Sequence, residues 1–215
     1  MSIAATDAPW PERRFSQAIA EGDGISLVPA LSGDIGSLAT AAEQAGAEAV
    51  LVDSIPDVRA ARVTTALPVV ARLESASREE LEAARADGAD AVALPVGALV
   101  ADAGSAYTQA VALGLDCAIR VSDEDELHLV LGALEPEILV AAIEAGSDVG
   151  NGGLALLTDV PAGKLVIVEA DPQSRDDVVA LERAGVDALV VEASSRPDEL
   201  AAILRELIGA EHPLD

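Results

Sequence analysis

Short apolar runs recur along the chain, each entered from a glycine. Gly46-Ala47-Glu48 leads into AVLV, Gly88-Ala89-Asp90 into AVALP, Gly114-Leu115-Asp116 into CAIRV and Gly185-Val186-Asp187 into ALVV. A glycine at a helix exit supplies the left-handed residue, and a continuously apolar run just after it reads as a strand buried on both faces. The pattern predicts strands over 25–31, 49–53, 67–73, 91–94, 117–121, 138–143, 165–169 and 188–191. Helices fill the intervals. A leading amphipathic helix spans 10–21, with Phe15, Ala18 and Ile19 on one side, and the last helix ends near Ile208. After the sixth strand, SDVGNGG reads as a loop, with a short helix from Leu154.

The helix starts agree with this register. Ser77, Ser122, Ser174 and Ser195 are each followed three residues later by an acid, Glu80, Asp125, Asp177 and Asp198, a capping-box arrangement just after a strand. Pro56 fits the first turn of the helix after strand two. Eight strand–helix units in 215 residues predict an α/β protein, a single (β/α)8 TIM barrel with an extra N-terminal helix. The whole chain forms one domain in this reading, with 1–8 and 210–215 as frayed tails. A doubly wound open sheet is the alternative; it usually has fewer strands, and no GxGxxG follows strand one.

Composition narrows the setting. Trp10, Phe15 and Tyr107 are the only aromatics, so the core is built from Ala, Val, Leu and Ile. The net charge of −25 argues against nucleic acid and anionic membrane surfaces as partners. It suits a salt-rich cytoplasm, where charge is screened, and equally a GC-rich coding bias. No stretch reaches the ~20 apolar residues of a membrane span. Cys117 stands alone, so no internal disulfide forms, and with no signal-peptide core at the N-terminus the expected location is cytoplasmic. No cofactor motif is present, and the oligomeric state is not legible.

From Phe15 onward the order of motifs resembles the indole-3-glycerol-phosphate synthase family, a ribulose-phosphate-binding barrel. FSQAI is similar to that family's leading helix, and LPVV with RLE to its third strand, Leu-Pro-Val-Leu-Arg-Lys-Asp-Phe. EAARADGADAVAL resembles its third helix and fourth strand, LGLDCAIRVSDEDEL its fifth unit, and VIVEA the Glu-Ser-Gly of its seventh strand. The resemblance covers about nine-tenths of the chain and implies tryptophan biosynthesis: a carbon–carbon lyase that closes an indole ring with loss of carbon dioxide and water.

The same resemblance marks departures. The family's strand-three Lys falls on Arg72, its strand-five Glu on Arg120, its strand-one Glu and Lys on Val28 and Ala30, and its strand-six Asn on Ala142. Glu169 alone is retained, as the candidate catalytic residue. The family's Gly-rich phosphate cradle falls on Asp171 and Glu192, whose charge repels phosphate. Arg, with a pKa above ~12, cannot serve as proton donor, and Arg120 cannot replace a carboxylate base. The resemblance therefore implies a pseudoenzyme that acts in binding, regulation or assembly. The rivals are a rewired enzyme acting on a small anionic substrate and a genuine family lyase. Realignment does not restore the missing lysines, because Lys164 is the only one in the chain.

At the strand ends the ionisable set is Asp53, Arg72, Glu74, Arg120, Glu144, Glu169, Asp171 and Glu192. Three arrangements fit it. Two Arg and the acids pair and plug the mouth. Alternatively Arg72 or Arg120, with Asp53 and Glu144, lines a site for a small anion such as a carboxylate. Asp53, Glu144, Glu169 and Asp171 could also offer oxygen ligands to a divalent metal, though no spacing identifies such a site. Cys117 reads as a small core residue, His128 as a surface or helix-packing residue, and His212 as part of the tail. Gly150-Asn151-Gly152-Gly153 reads as a flexible turn in preference to a loop wrapping a ligand phosphate. The run Asp123–Glu126 reads as a helix N-terminus and not as a metal loop.

Overall fold

The four glycine joints fold as the pattern predicts. In the computed structural model, described for residues 15–22, 24–100, 104–142 and 156–209, Gly46, Gly88, Gly114 and Gly185 have φ of 93°, 99°, 75° and 88°. Each delivers the chain from a helix into a strand. Eight parallel strands result: β1 (Ser26–Leu31), β2 (Val50–Val52), β3 (Val69–Arg72), β4 (Ala91–Pro95), β5 (Asp116–Val121), β6 (Ile138–Ala142), β7 (Leu165–Glu169) and β8 (Ala188–Glu192). They pair in sequence order, and β8 pairs back onto β1, so the sheet is a closed barrel and not an open one. Around it lie α2 (Ile35–Ala45), α3 (Ile55–Arg62), α4 (Arg78–Ala86), α5 (Val96–Val100), α6 (Ser105–Ala112), α7 (Glu124–Ala133), α8 (Arg175–Arg183) and α9 (Pro197–Ile208), preceded by α1 (Phe15–Ala20). The break between α5 and α6 was not foreseen. Residues 10–14 of the expected leading helix, the SDVGNGG loop, the start of the short helix at Leu154, both tails and His212 lie outside the described residues.

Two apolar clusters divide the molecule. The outer one packs alternate strand residues, such as Leu27, Val50, Val69, Val92 and Ile119, against the inner faces of the helices. The inner one fills the barrel with Val28, Ala30, Ala49, Leu51, Val70, Ala91, Ala93, Ala118, Val140, Ile167, Ala188 and Val190. Strand side chains alternate between faces, so these residues share a two-residue period that points to the axis. Their small size accounts for a barrel core almost without aromatics. Phe15 and Ile19 of α1 complete the inner cluster. Ser16 donates both its backbone N–H and its hydroxyl to Asp116 Oδ2, each at 2.9 Å. Because Asp116 begins β5, α1 stoppers the foot of the barrel, opposite the C-terminal strand ends.

The acid that ends each joint has a structural task. Glu48 accepts the N–H of Leu27 at 2.9 Å, Asp90 that of Val69 at 2.9 Å, and Asp187 that of Val166 at 2.7 Å. Each satisfies an N–H near the start of the adjoining strand, which would otherwise be a costly unpaired donor. The fourth, Asp116, holds α1 instead. Burial pushes the Glu48 and Asp90 carboxyl pKa values above their ordinary range, against the opposing pull of these hydrogen bonds.

Two of the four expected caps form in register. Ser77 and Glu80 make the full reciprocal box, and Ser174 accepts the N–H of Asp177. The shorter Asp177 carboxylate receives the N–H of Gln173 at 3.0 Å. The other two shift by one residue. Asp123, not Ser122, caps α7, because its carboxylate reaches Glu126 N at 2.8 Å while Glu126 accepts the N–H of Ser122. Arg196, not Ser195, is the N-cap of α9, with Pro197 opening the helix and Glu199 at the third position. Among the described residues no helix is long and apolar enough to cross a membrane.

Candidate functional site at the barrel mouth

The two-residue period that fills the barrel continues into charge at its C-terminal rim. Leu51 leads to Asp53, Val70 to Arg72, Ala118 to Arg120, Ile167 to Glu169 and Val190 to Glu192. Asp53 sits beside Arg72 because β2 and β3 pair Val52 with Ala71. The inner face thus presents two guanidiniums and three carboxylates to one opening.

These groups pair. Arg120 grips Glu169 with two parallel hydrogen bonds, Nε to Oε1 and Nη2 to Oε2, both 2.9 Å. Arg72 donates Nε to Asp53 Oδ1 at 2.6 Å, and its Nη1 lies 3.4 Å from Glu169 Oε1. Asp53–Arg72–Glu169–Arg120 is therefore a continuous chain. Its three inner members are only 17–21% exposed at the side chain, whereas Asp53 is 55% exposed. Charge-assisted, forked contacts of this kind are the strong ones. The hydrogen bond from Arg72 to Asp53 raises the Arg72 pKa further, helped by the charges of Asp53, Glu169 and Glu192. Arg72 is accordingly a fixed cation.

Of the residues singled out from sequence, Asp53, Arg72, Arg120 and Glu169 are brought together, and Glu144 lies outside the described residues. Glu74, Asp171 and Glu192 stand exposed at the rim. Of the four acids weighed as oxygen ligands, Asp53 and Glu169 converge on Arg72. The glycine cluster at 150–153 lies outside the described residues. Lys164, the sole lysine, precedes β7 and so sits at the foot.

A phosphate cradle would draw on the helix N-termini after β7 and β8. At α8, the Asp177 carboxylate already takes the Gln173 N–H and the Ser174 hydroxyl, both at 3.0 Å. At α9, Glu199 accepts from the Ser194 hydroxyl at 2.8 Å and from Arg196 Nη1 at 2.6 Å. Side-chain carboxylates thus stand in the first turn of both helices. From sequence the repelling charge is expected at Asp171 and Glu192; Asp177 is read there only as a capping acid, and Glu199 is passed over in favour of Asp198.

Strand order, the stoppered foot and the charged rim define a (β/α)8 barrel with a cluster of ionisable groups at the C-terminal strand ends. No family model matches the chain. Curated proteins do. The indole-3-glycerol phosphate synthase of Koribacter versatilis is 31% identical over 193 residues, covering 82% of this chain and 72% of that protein. That of Albidiferax ferrireducens is 32% identical over 160 residues, covering 71% of this chain and 59% of that protein. The chain thus spans about 60% of the length of several relatives it matches. A mutant tryptophan synthase alpha-subunit from Pyrococcus furiosus shares the fold, with a TM-score of 0.72, 17% identity, and coverage of 86% of this chain and 98% of that one. The chain belongs to the indole-3-glycerol phosphate synthase family.

Proposed function

We propose that this protein is a non-catalytic member of its family, a barrel that serves in binding or regulation and does not form indole-3-glycerol phosphate. One observation carries the reading: both oxygens of Glu169, the single catalytic carboxylate that the family resemblance retains, are held by Arg120. A general base needs a free lone pair within reach of the proton it removes. Here each Glu169 oxygen is already engaged by an Arg120 N–H at 2.9 Å, and Arg72 stands where the resemblance asks for a proton-donating lysine. The carboxylates at the starts of α8 and α9 support the same reading, since they oppose a phosphate there.

The test is synthesis of indole-3-glycerol phosphate, followed by indole fluorescence with the protein at micromolar concentration and a family relative as positive control. No turnover above buffer is expected. Turnover that disappears in Glu169→Gln would overturn the proposal and identify a working lyase. A rewired enzyme or anion site instead requires Arg72 or Arg120 to leave its carboxylate. It would show as thermal stabilisation by phosphate or a small carboxylate, lost in Arg120→Ala.

A further inference from the structure

In the outer layer of helices, α7 and the turn before β7 bring three exposed metal-ligating side chains to one point. Glu124 and His128 are four residues apart on α7, which puts them on one helical face. Asp159 meets them from a segment 31 positions further along the chain. One ligand atom from each of Glu124, His128 and Asp159 lies within 4.8 Å of the other two. The His128 Nε2 to Asp159 Oδ2 separation is 4.0 Å, too wide for a hydrogen bond. Bonds of ~2.1 Å to a shared tetrahedral metal would leave two ligands ~3.4 Å apart. The His128–Asp159 pair needs a closure of about half an ångström and the pairs with Glu124 at most about 1.4 Å, movements that exposed side chains make by rotamer adjustment.

The supports of the triad are anchored. Leu127 and Val130, flanking His128, are buried at 0% and 1% exposure and fix α7 against the barrel. Leu156, Leu157 and Val160, flanking Asp159, pack on the same outer core. The side chains themselves are open to solvent, His128 at 59% and Asp159 at 44%. A metal could therefore enter without unfolding, and water could complete its shell.

From this we infer a divalent transition-metal site formed by Glu124, His128 and Asp159, suited to Zn²⁺ and metals of similar preference. One imidazole and two carboxylates match borderline ions; Mg²⁺ and Ca²⁺ prefer all-oxygen shells, and Cu⁺ prefers sulfur. The ion neutralises two converging carboxylates and staples α7 to the turn that feeds β7. The site owes nothing to the mouth and stands whether or not the barrel is catalytic.

The probe is Co²⁺ added to the untagged, chelator-treated full-length protein in ~0.5 M salt, which screens the diffuse pull of the acidic surface. Visible d–d absorption reports inner-sphere ligation, and Zn²⁺ displaces it. Saturation at about one equivalent, with affinity at least about tenfold weaker in His128→Ala and in Asp159→Asn, is expected for a three-ligand site. His212→Ala should bind as the parent does, and millimolar Mg²⁺ should not compete. Equal binding in parent and His128→Ala, or no saturable absorption, would overturn the inference. Circular dichroism of His128→Ala separates loss of ligation from loss of fold; an exposed position should leave the spectrum unchanged.

Discussion

Arg120 holds Glu169 through two separate nitrogen–oxygen contacts of equal length, 2.9 Å, across the mouth from β5 to β7. Arg120→Ala leaves Glu169 with only the 3.4 Å approach of Arg72. Stranding a mostly buried carboxylate in this way should cost about 2 kcal/mol, or roughly 4–8 °C in Tm for a chain of this size. A double-mutant cycle with Glu169→Gln should show coupling of about 1 kcal/mol or more in denaturant unfolding. Additive effects would mean that the pair contributes shape but no energy.

Glu48 gives a pH signature with a definite sign. Its carboxyl is shifted upward in the folded protein, with burial as the largest cause, so the folded state binds the proton more tightly than the unfolded state does. This group's contribution is fullest below its unfolded pKa and is lost as pH rises through the raised folded value. Glu48→Gln removes that dependence. The Tm difference, variant minus parent, should therefore move in the variant's favour as pH rises from about 4 to 7. A difference that moves the other way would show that the bond to Leu27 N outweighs the desolvation.

Gly88 and Gly114 occupy equivalent joints with unequal room. A Cβ on Gly88 would lie 2.7 Å from Arg62 Cγ, while nothing comes within 4 Å of one on Gly114. Arg62 is only 8% exposed and is bound to the carbonyls of Gly88 and Leu67, so it yields at a cost. Gly114→Ala should cost about 1–2 kcal/mol from its left-handed backbone alone. Gly88→Ala should cost more, by about 1 kcal/mol or above, as a clash adds to the same strain. Equal losses in urea unfolding would show that Arg62 moves freely.

Cys117 faces the outer core at 4% exposure, and burial pushes its thiol pKa up to about 12. Only ~0.01% is thiolate at pH 8, against roughly a quarter for a free cysteine. Labelling by a disulfide reagent should be negligible in buffer and rise along the unfolding curve in urea. Rapid labelling of the native protein would place the thiol at the surface.

The fold was open to sequence reasoning because a parallel barrel repeats one local device, and the Gly-apolar-acid joint marks that device wherever it occurs. β7 was predicted to the residue, since Lys164 and Asp171 bracket it with charge. β2 and β3 came out shorter than expected, because Ala49 and Leu67 are apolar but precede the paired segment. At the mouth, the two-residue alternation was enough to aim Arg72, Arg120 and Glu169 inward. It did not reveal which acid each arginine would choose. That depends on strand register, which sets Asp53 beside Arg72, and on reach across the barrel, which brings β5 to β7. Asp159 escapes notice for the same reason: Glu124 and His128 are close in space but 35 and 31 positions away in sequence.

The carboxylate ties at the foot group the strands in twos. Glu48 fastens β2 to β1, Asp90 fastens β4 to β3, and Asp187 fastens β8 to β7, each within a consecutive couple. None of these three straps crosses from one couple to the next. The junctions β2–β3, β4–β5, β5–β6, β6–β7 and β8–β1 carry none of the three, and relocated chain ends placed at the first of these would leave all three buckles intact.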